Sequence, residues 1–123
     1  MTDRKVPKDQ AVHVPRYAFE AMAAYAALDG DKVAVMLLLL MRMDSNGAVR
    51  IDTSLLTDFL TLSSERVERA ISGLIKQGWV DSVDDHAMRY RILDCVVHPA
   101  FIHADFDTLM RIVNIRLTAV DVH

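Results

Sequence analysis

Apolar residues in the stretch LSSERVERAISGLIKQGWV, residues 62–80, recur with the period of an α-helix. Five of them are spaced i, i+3, i+4, i+7 and i+8 and form one stripe on a helix: Val67, Ala70, Ile71, Leu74 and Ile75. Ser63 is a residue type that caps helix N-termini, and Gly78 is the type that commonly follows the last helical turn. The pattern predicts a helix over residues 63–77 that buries its stripe and leaves a polar face in solvent.

The residues before this helix predict three further helices and a short strand. The second helix is apolar on almost all sides, which is typical of a helix buried at the centre of a fold. Asp31 and Asp52 stand where they can cap the second and third helices by accepting backbone N–H bonds. AVRID follows the turn DSNG and alternates apolar with polar residues, as strands do. The expected bounds are 16–28, 32–43 and 53–61 for the helices and 48–52 for the strand.

The residues after Gly78 predict a hairpin followed by a tail. WVDSV (79–83) and MRYRIL (88–93) are rich in strand-forming residues and are joined by DDHA. Trp79 is expected to anchor this hairpin in the core. The tail from Asp94 fits two predictions, because its apolar residues have helical spacing from residue 105 while RIVNIRLTAV also alternates like a strand. We favour a helix over about 105–116.

Length and composition indicate one domain. The 123 residues suffice for a single hydrophobic core, and 52% of them are hydrophobic. The single cysteine, Cys95, cannot form an internal disulfide, which is typical of a reducing cytoplasm. The polar N-terminus lacks the apolar region of a secretory signal, and the longest apolar run, residues 33–41, is far shorter than the roughly 20 residues that cross a bilayer. We therefore expect a soluble cytoplasmic protein without a membrane segment.

Enzymatic motifs are missing from the sequence. It contains no Gly-rich phosphate loop, no G-x-S-x-G elbow and no convincing carboxylate pair, so we expect neither catalytic residues nor a cofactor. Four residues have a loosely ligand-like spacing: Cys95, His98, His103 and Asp105. Zinc sites normally have paired C-x2-C or H-x3-H spacings, so we expect no metal there but a loop packed on the core. Three methionines are expected to fill the core: Met36, Met41 and Met43.

The segment IDTSLLTDFLTLSSERVERAISGLIKQGWVDS, with the hairpin after it, resembles the winged helix-turn-helix of MarR-type regulators and plasmid replication initiators. The shared positions are Leu55, Leu56, Leu60, Ser63, Val67, Arg69, Ile71, Leu74 and Gly78. The strand after DSNG and the dipeptide His98-Pro99 are closer to the replication branch. The resemblance implies a mainly α fold with a small sheet: a three-helix core, a short strand and a β-hairpin wing. The expected divisions are a flexible arm (1–14), the winged helix (15–94) and a C-terminal extension (95–123) that offers surface for dimerisation.

This resemblance implies sequence-specific binding of double-stranded DNA, by a transcriptional regulator or a plasmid- or phage-replication protein. Arginine can bond guanine through two hydrogen bonds, and serine can bond phosphate, so we expect Arg66 and Arg69 in the major groove and Ser63 and Ser64 on the backbone. The expected contacts of the recognition helix are Ser63, Ser64, Glu65, Arg66, Arg69, Ser72 and Lys76. Those of the wing and the arm are Arg89, Arg91, Arg4, Lys5 and Lys8.

The balance of charges keeps a second function open. The formal net charge is −3, although DNA affinity depends on clustered cations. The cations of residues 53–78 are matched by Asp58, Glu65 and Glu68, and the predicted wing carries Asp81, Asp84 and Asp85. The alternative is a winged helix that binds a protein partner through its acidic wing and does not bind DNA directly.

A homodimer is expected under either function. Two copies related by a two-fold axis present their recognition helices about 34 Å apart, one turn of DNA. The Ala-rich helix 16–28 and the tail offer apolar surface for this contact. The residues of the tail concerned are Phe101, Phe106, Leu109, Met110, Ile112, Val113, Ile115 and Leu117.

Overall fold

The computed structural model describes residues 13–82, 84–103 and 106–113 of the chain. In this part the protein is mainly helical with a small three-stranded antiparallel sheet, which confirms the predicted class of secondary structure. The helices are α1 (Arg16–Ala26), α2 (Gly30–Arg42), α3 (Thr53–Leu60), α4 (Ser64–Lys76) and α5 (Phe106–Val113). The strands are β1 (Ala48–Asp52), β2 (Val80–Ser82) and β3 (Ile92–Val97), with 3₁₀ helices at Asp85–Tyr90 and Pro99–Phe101. The predicted arm lies outside the described residues except for His13 and Val14.

Helix α2 is the central element, as its apolar sequence predicts. It packs against α1, α3 and α4 and buries most of its side chains: Val33, Val35, Met36, Leu38, Leu39 and Leu40. The predicted core role is confirmed for Met36 and Met43 but is wrong for Met41, which is 71% exposed.

The start of α2 differs from the prediction. The helix begins at Gly30, and its cap is Asp29, whose Oδ1 accepts a hydrogen bond from the Lys32 N–H at 3.1 Å. Asp31, predicted as the cap, lies in the first turn of the helix instead. Asp52 does cap α3, because its Oδ1 accepts from the Ser54 N–H at 2.9 Å.

The sheet has the order β1-β3-β2, so the last strand lies in the middle. Val49 faces Cys95 and Ile51 faces Leu93 across the β1–β3 pair, and these four side chains are buried on the face toward the helices. Gly47 precedes β1 with φ +83°, and a Cβ there would lie 3.2 Å from the carbonyl oxygen of Val97. Glycine therefore allows the turn to approach β3 closely.

The second strand of the predicted hairpin is shifted along the chain. Residues 88–90 belong to a 3₁₀ helix rather than to a strand, and β3 runs from Ile92 to Val97. The Asp84 side chain starts that helix by accepting N–H bonds from His86 and Ala87, and Arg91 ends it with φ +63°. Strand β3 therefore crosses the predicted boundary between the winged helix (15–94) and the C-terminal extension (95–123).

The tail completes the hydrophobic core. Helix α5 lies within the predicted range 105–116 and packs against α1, whereas residues 114–123 lie outside the described part. Phe101 and Leu109 are fully buried within the chain, so the expectation that they are surplus surface for a dimer is wrong. Trp79 is also fully buried and contacts the rings of Tyr25 and Phe101, which confirms its role as an anchor.

None of the helices in the described residues has the length and apolar character needed to cross a membrane.

Candidate nucleic-acid interface

Helices α3 and α4 are joined by a tight turn that fixes their relative position. Thr61 ends α3 in the left-handed region (φ +56°), and its N–H donates to the carbonyl of Thr57. Ser63 then caps α4, as predicted, because its Oγ accepts from the Arg66 N–H at 3.2 Å. Since a β-branched residue adopts positive φ only at a cost in energy, packing of both helices on α2 must hold this turn in place.

Helix α4 separates its buried and exposed residues almost as the sequence predicts. Its buried residues are Val67, Ala70, Ile71 and Leu74. Ile75 is 37% exposed, so the stripe is one residue narrower than predicted. The opposite face is exposed along its whole length: Ser64, Glu65, Arg66, Glu68, Arg69, Ser72 and Lys76. The side chains expected to contact DNA from this helix therefore share one solvent-facing surface.

Arg66 is held by an ion pair with α2. Its Nε donates to Oδ2 of Asp31 at 2.8 Å and its Nη2 donates to Oδ1 at 2.6 Å, a two-point contact between the first turns of the two helices. The hydrogen bond from Arg66 lowers the pKa of the Asp31 carboxyl, and the charge of Arg69 lowers that pKa further. Arg66 must therefore leave Asp31, or share it, before it can contact a groove. Sequence reasoning missed this pair because it assigned Asp31 to the cap.

A polar cleft of about 170 Å³ lies between the first turns of α3 and α4. It is lined by Thr53, Ser54, Thr57, Ser64, Val67, Glu68 and Arg91. The backbone holds Arg91 in this position. Its carbonyl oxygen accepts a hydrogen bond from the Thr53 N–H at 2.8 Å, and this bond fixes the start of β3 beside α3. Hydroxyl and guanidinium groups are donors suited to phosphate oxygens, whereas the Glu68 carboxylate opposes an anion. The cleft thus joins Ser64 and Arg91, two residues predicted separately for helix and wing.

The chain is acidic in β2 and at the start of the segment that follows it. Asp81 is exposed, and Asp84 uses its carboxylate to cap the 3₁₀ helix, with 3.0 Å to the His86 nitrogen. Arg89 is exposed but does not line the cleft that contains Arg91. The two cations predicted for the wing therefore do not act together at this cleft. The arm residues predicted for DNA contact, Arg4, Lys5 and Lys8, lie outside the described residues.

A buried lysine supports the C-terminal end of α4, and the sequence analysis did not single it out. Lys32 is only 3% exposed, and its Nζ donates to the Tyr25 hydroxyl at 3.1 Å. The same Nζ lies 4.9 Å from the ring centre of Tyr25 and 4.8 Å from that of Trp79. Tyr25 in turn donates to Oε1 of Gln77, and the lysine stem passes beside Gly73. A lone lysine in an otherwise apolar helical stretch is the signal that could have indicated it.

The residues with loosely ligand-like spacing do not form a metal site as far as they are described. Cys95 is buried in β3, and burial, together with the Asp94 charge, raises the pKa of its thiol to about 11. His98 uses Nδ1 to accept the Ala100 N–H at 3.0 Å and so caps the second 3₁₀ helix. No group of three His, Cys, Asp or Glu side chains within the described ranges could hold a metal ion. Asp105 lies outside those ranges.

Comparison of the chain with protein-family models, with curated protein sequences and with solved structures finds no match to any of them.

Proposed function

We propose that this chain is a cytoplasmic winged helix-turn-helix protein that binds double-stranded DNA sequence-specifically, as a transcriptional regulator or a plasmid- or phage-replication protein. In this proposal α2, α3 and α4 are the three-helix core, and α4 is the recognition helix. The segment between β2 and β3 is the wing, although it contains a 3₁₀ helix in place of a simple hairpin turn.

The observation that carries the proposal is the polar face of α4. The helix buries only four residues, and the side chains opposite them are all polar or charged and all in solvent. Helix α4 packs its apolar face on the core and follows α3 after one tight turn. A recognition helix that enters a major groove has this arrangement. Arg69 lies on this face, and its guanidinium donates no hydrogen bond to any of the described residues. We assign it the principal contact with base edges.

The polar cleft supplies a second point of contact. Ser64 and Arg91 lie at its walls with the hydroxyls of Ser54 and Thr57, where a backbone phosphate beside the recognition helix would be met by several donors. Such contacts position a protein on DNA but do not select a sequence. Specificity is therefore assigned to α4 and backbone affinity to the cleft.

A second candidate function, a winged helix that binds a protein partner and not DNA, is favoured by the charges around the same helix. Arg66 is neutralised by Asp31, and Glu65 and Glu68 remain exposed beside it. Asp84 adds negative charge to the start of the wing, and Asp81 adds it to β2. Phosphate contacts are weakened by each of these groups.

We also propose that two copies act together. An apolar groove of about 550 Å³ between α1 and α2 is lined by Phe19, Leu37, Leu40 and Met41, among others. Phe19 and Met41 are exposed there, which offers apolar surface to a second copy. Phe101 and Leu109 are used within the chain, so we propose that the contact includes this groove beside α1 and not those two residues.

Fluorescence anisotropy with a pool of random duplexes over a salt series tests the proposal. We expect binding that weakens steeply as salt rises, since released counterions dominate affinity. Once a preferred duplex has been selected, Arg69→Ala should cost about 1–3 kcal/mol of binding free energy and relax one base preference. Arg42→Ala is the matched control, because Arg42 is exposed at the far end of α2 and carries the same charge. Absence of salt-sensitive binding would refute DNA binding and favour the protein-interaction function.

A further inference from the structure

The carboxylate of Asp31 lies close to two arginines on the polar face of α4. Arg66 holds it through two hydrogen bonds, from Nε at 2.8 Å and from Nη2 at 2.6 Å. Lys32, the next residue of α2, passes its stem beside Gly73. The start of α2 therefore crosses α4 between these two points of contact, and Arg69 lies on the stretch of α4 between them.

The charge of Arg69 acts on the carboxylate that Arg66 already holds. The two arginines are three residues apart on α4, so their side chains leave the helix as neighbours on one face. The hydrogen bond from Arg66 is the largest cause of the lowered pKa of Asp31, and the charge of Arg69 lowers that pKa as well. Both oxygens of Asp31 accept from Arg66, whereas Arg69 donates to none of the described residues.

Removal of Arg66 would leave Asp31 as an unpaired anion beside Arg69. The Asp31 side chain is only 28% exposed, so water cannot fully replace the lost partner. A guanidinium group is the natural replacement, because it bonds both oxygens of a carboxylate at once. Glu65 lies four residues before Arg69, the spacing of an ion pair along a helix, but the two do not pair among the described contacts. Asp31 is therefore the carboxylate that would capture Arg69.

We propose that Arg66 is a positioning residue, which occupies Asp31 and thereby keeps the guanidinium of Arg69 available to DNA. Arg66 stays on Asp31 when DNA binds and contacts neither base nor phosphate. The role in the major groove that the sequence suggested for both arginines then belongs to Arg69 alone. When Arg66 is removed, Asp31 takes Arg69 as its partner, and the principal base contact is lost. The contact with DNA rests on the proposed function, whereas the exchange of partners at Asp31 does not.

Nuclear magnetic resonance of the full chain without DNA tests the exchange of partners. In the wild type we expect the Nε proton of Arg69 to exchange rapidly with water. In Arg66→Ala and in Arg66→Gln, which keeps the length of the side chain, this exchange should slow by about fivefold or more, since Asp31 then accepts the proton. Adding Asp31→Asn to Arg66→Ala should restore the rapid exchange. Unchanged exchange at Arg69 in both Arg66 variants would overturn the proposal.

Fluorescence anisotropy with the selected duplex tests the consequence for DNA binding. Arg66→Ala should weaken binding about tenfold or more, as the loss of one base contact does. Adding Asp31→Asn should return the affinity to about that of the wild type and leave the wild-type slope of log affinity against log salt. Arg66→Lys keeps a cation beside Asp31 and should retain most of the affinity. A slope lower by about 0.9 in the double variant would overturn the proposal, because Arg66 would then contact phosphate in the wild type.

Lys76→Ala is the matched control, because Lys76 is another exposed cation of the polar face but lies in the last turn of α4. Asp31→Asn should change the affinity by the same factor with and without Lys76→Ala. Circular dichroism melts should show that every variant folds. Slowed exchange at Arg69 in Arg66→Ala, with no DNA binding by any variant, would refute the proposed function and still support the exchange of partners. DNA binding that Arg66→Ala weakens and Asp31→Asn does not restore would overturn the positioning role.

Discussion

Lys32 offers a direct test of how α4 is supported. Its side chain crosses from α2 to the C-terminal end of α4, between the rings of Tyr25 and Trp79, and none of the described carboxylates is paired with its ammonium group. Replacing it by Met retains a long unbranched stem and removes the charge. Replacing it by Ala removes both. The two variants therefore separate packing by the stem from interactions of the ammonium group.

The magnitudes follow from the contacts. Lys32→Ala removes three buried methylenes, worth about 0.8 kcal/mol each, and leaves a cavity beside Gly73, so we expect a loss of about 2–4 kcal/mol in unfolding free energy. The ammonium contributes one hydrogen bond of about 1 kcal/mol and cation–π contacts of about 1–2 kcal/mol. Burying a charge without a counter-ion costs several kcal/mol and offsets these gains. Lys32→Met should therefore lie within about 1 kcal/mol of wild type.

Urea unfolding followed by Trp79 fluorescence measures both values, because this single tryptophan is buried in the native chain. The slope of free energy against urea should be the same for the three proteins, so that midpoints report stability alone. If Lys32→Met were as destabilising as Lys32→Ala, the ammonium group and not the stem would hold α4 in place, and the reasoning would be wrong.

Four further predictions concern three positions. Asp31→Asn should release Arg66, raise affinity for duplex DNA and increase the slope of log affinity against log salt by about 0.9, and an unchanged slope would mean that Arg66 does not reach phosphate. The hydrogen bond from Arg66 lowers the pKa of Asp31, so the pair stabilises the fold fully when the pH is above 3.8, the ordinary pKa of an aspartate. This contribution is lost as the pH falls through the lowered pKa of Asp31 in the folded protein. Acid unfolding of Asp31→Asn should therefore lack this pH-dependent component. Gly73→Ala should stabilise α4 by about 0.5–1 kcal/mol in urea unfolding, since the new Cβ would lie 3.5 Å from Cδ of Lys32, an ordinary contact, and a loss of stability would show that the stem cannot accept it. Cys95 should resist Ellman's reagent at pH 8 in the folded chain and react at once in guanidinium, because burial raises its pKa to about 11; equal rates in both states would contradict the buried position.

The elements that follow strong local patterns could be predicted from the sequence. The stripe of α4, the caps at Ser63 and Asp52 and the strand at 48–52 depend on neighbours in sequence, and all are present. The predicted strand 88–93 begins too early because MRYRIL is rich in strand-forming residues, whereas β3 runs from Ile92 to Val97. The Asp84 side chain caps a 3₁₀ helix over residues 85–90, and the left-handed Arg91 ends it, so the strand can begin only at Ile92. Neither feature produces a periodic pattern in the sequence.

The candidate site was predictable only in part, for the same reason. Helical spacing places Arg69, Ser72 and Lys76 on one face whatever surrounds the helix. The contact of Arg66 with Asp31 joins residues 35 positions apart, and the cleft brings Arg91 to Ser64 through the register of β3. Such neighbours depend on how helices and sheet pack, which spacing along the chain does not specify.

The position of Trp79 has a consequence for how the protein is made. Its ring centre lies 5.0 Å from that of Tyr25, which precedes it in the chain, and 5.6 Å from that of Phe101, which follows it. A ribosome therefore synthesises Trp79 before Phe101, which covers its ring from the other side, and contacts so distant in sequence form late. A nascent chain that has not reached Phe101 and α5 exposes this ring and the inner side of α1, surfaces that attract chaperones and proteases. The ring of Trp79, which follows α4 directly, is thus fully covered only after Phe101 has been synthesised.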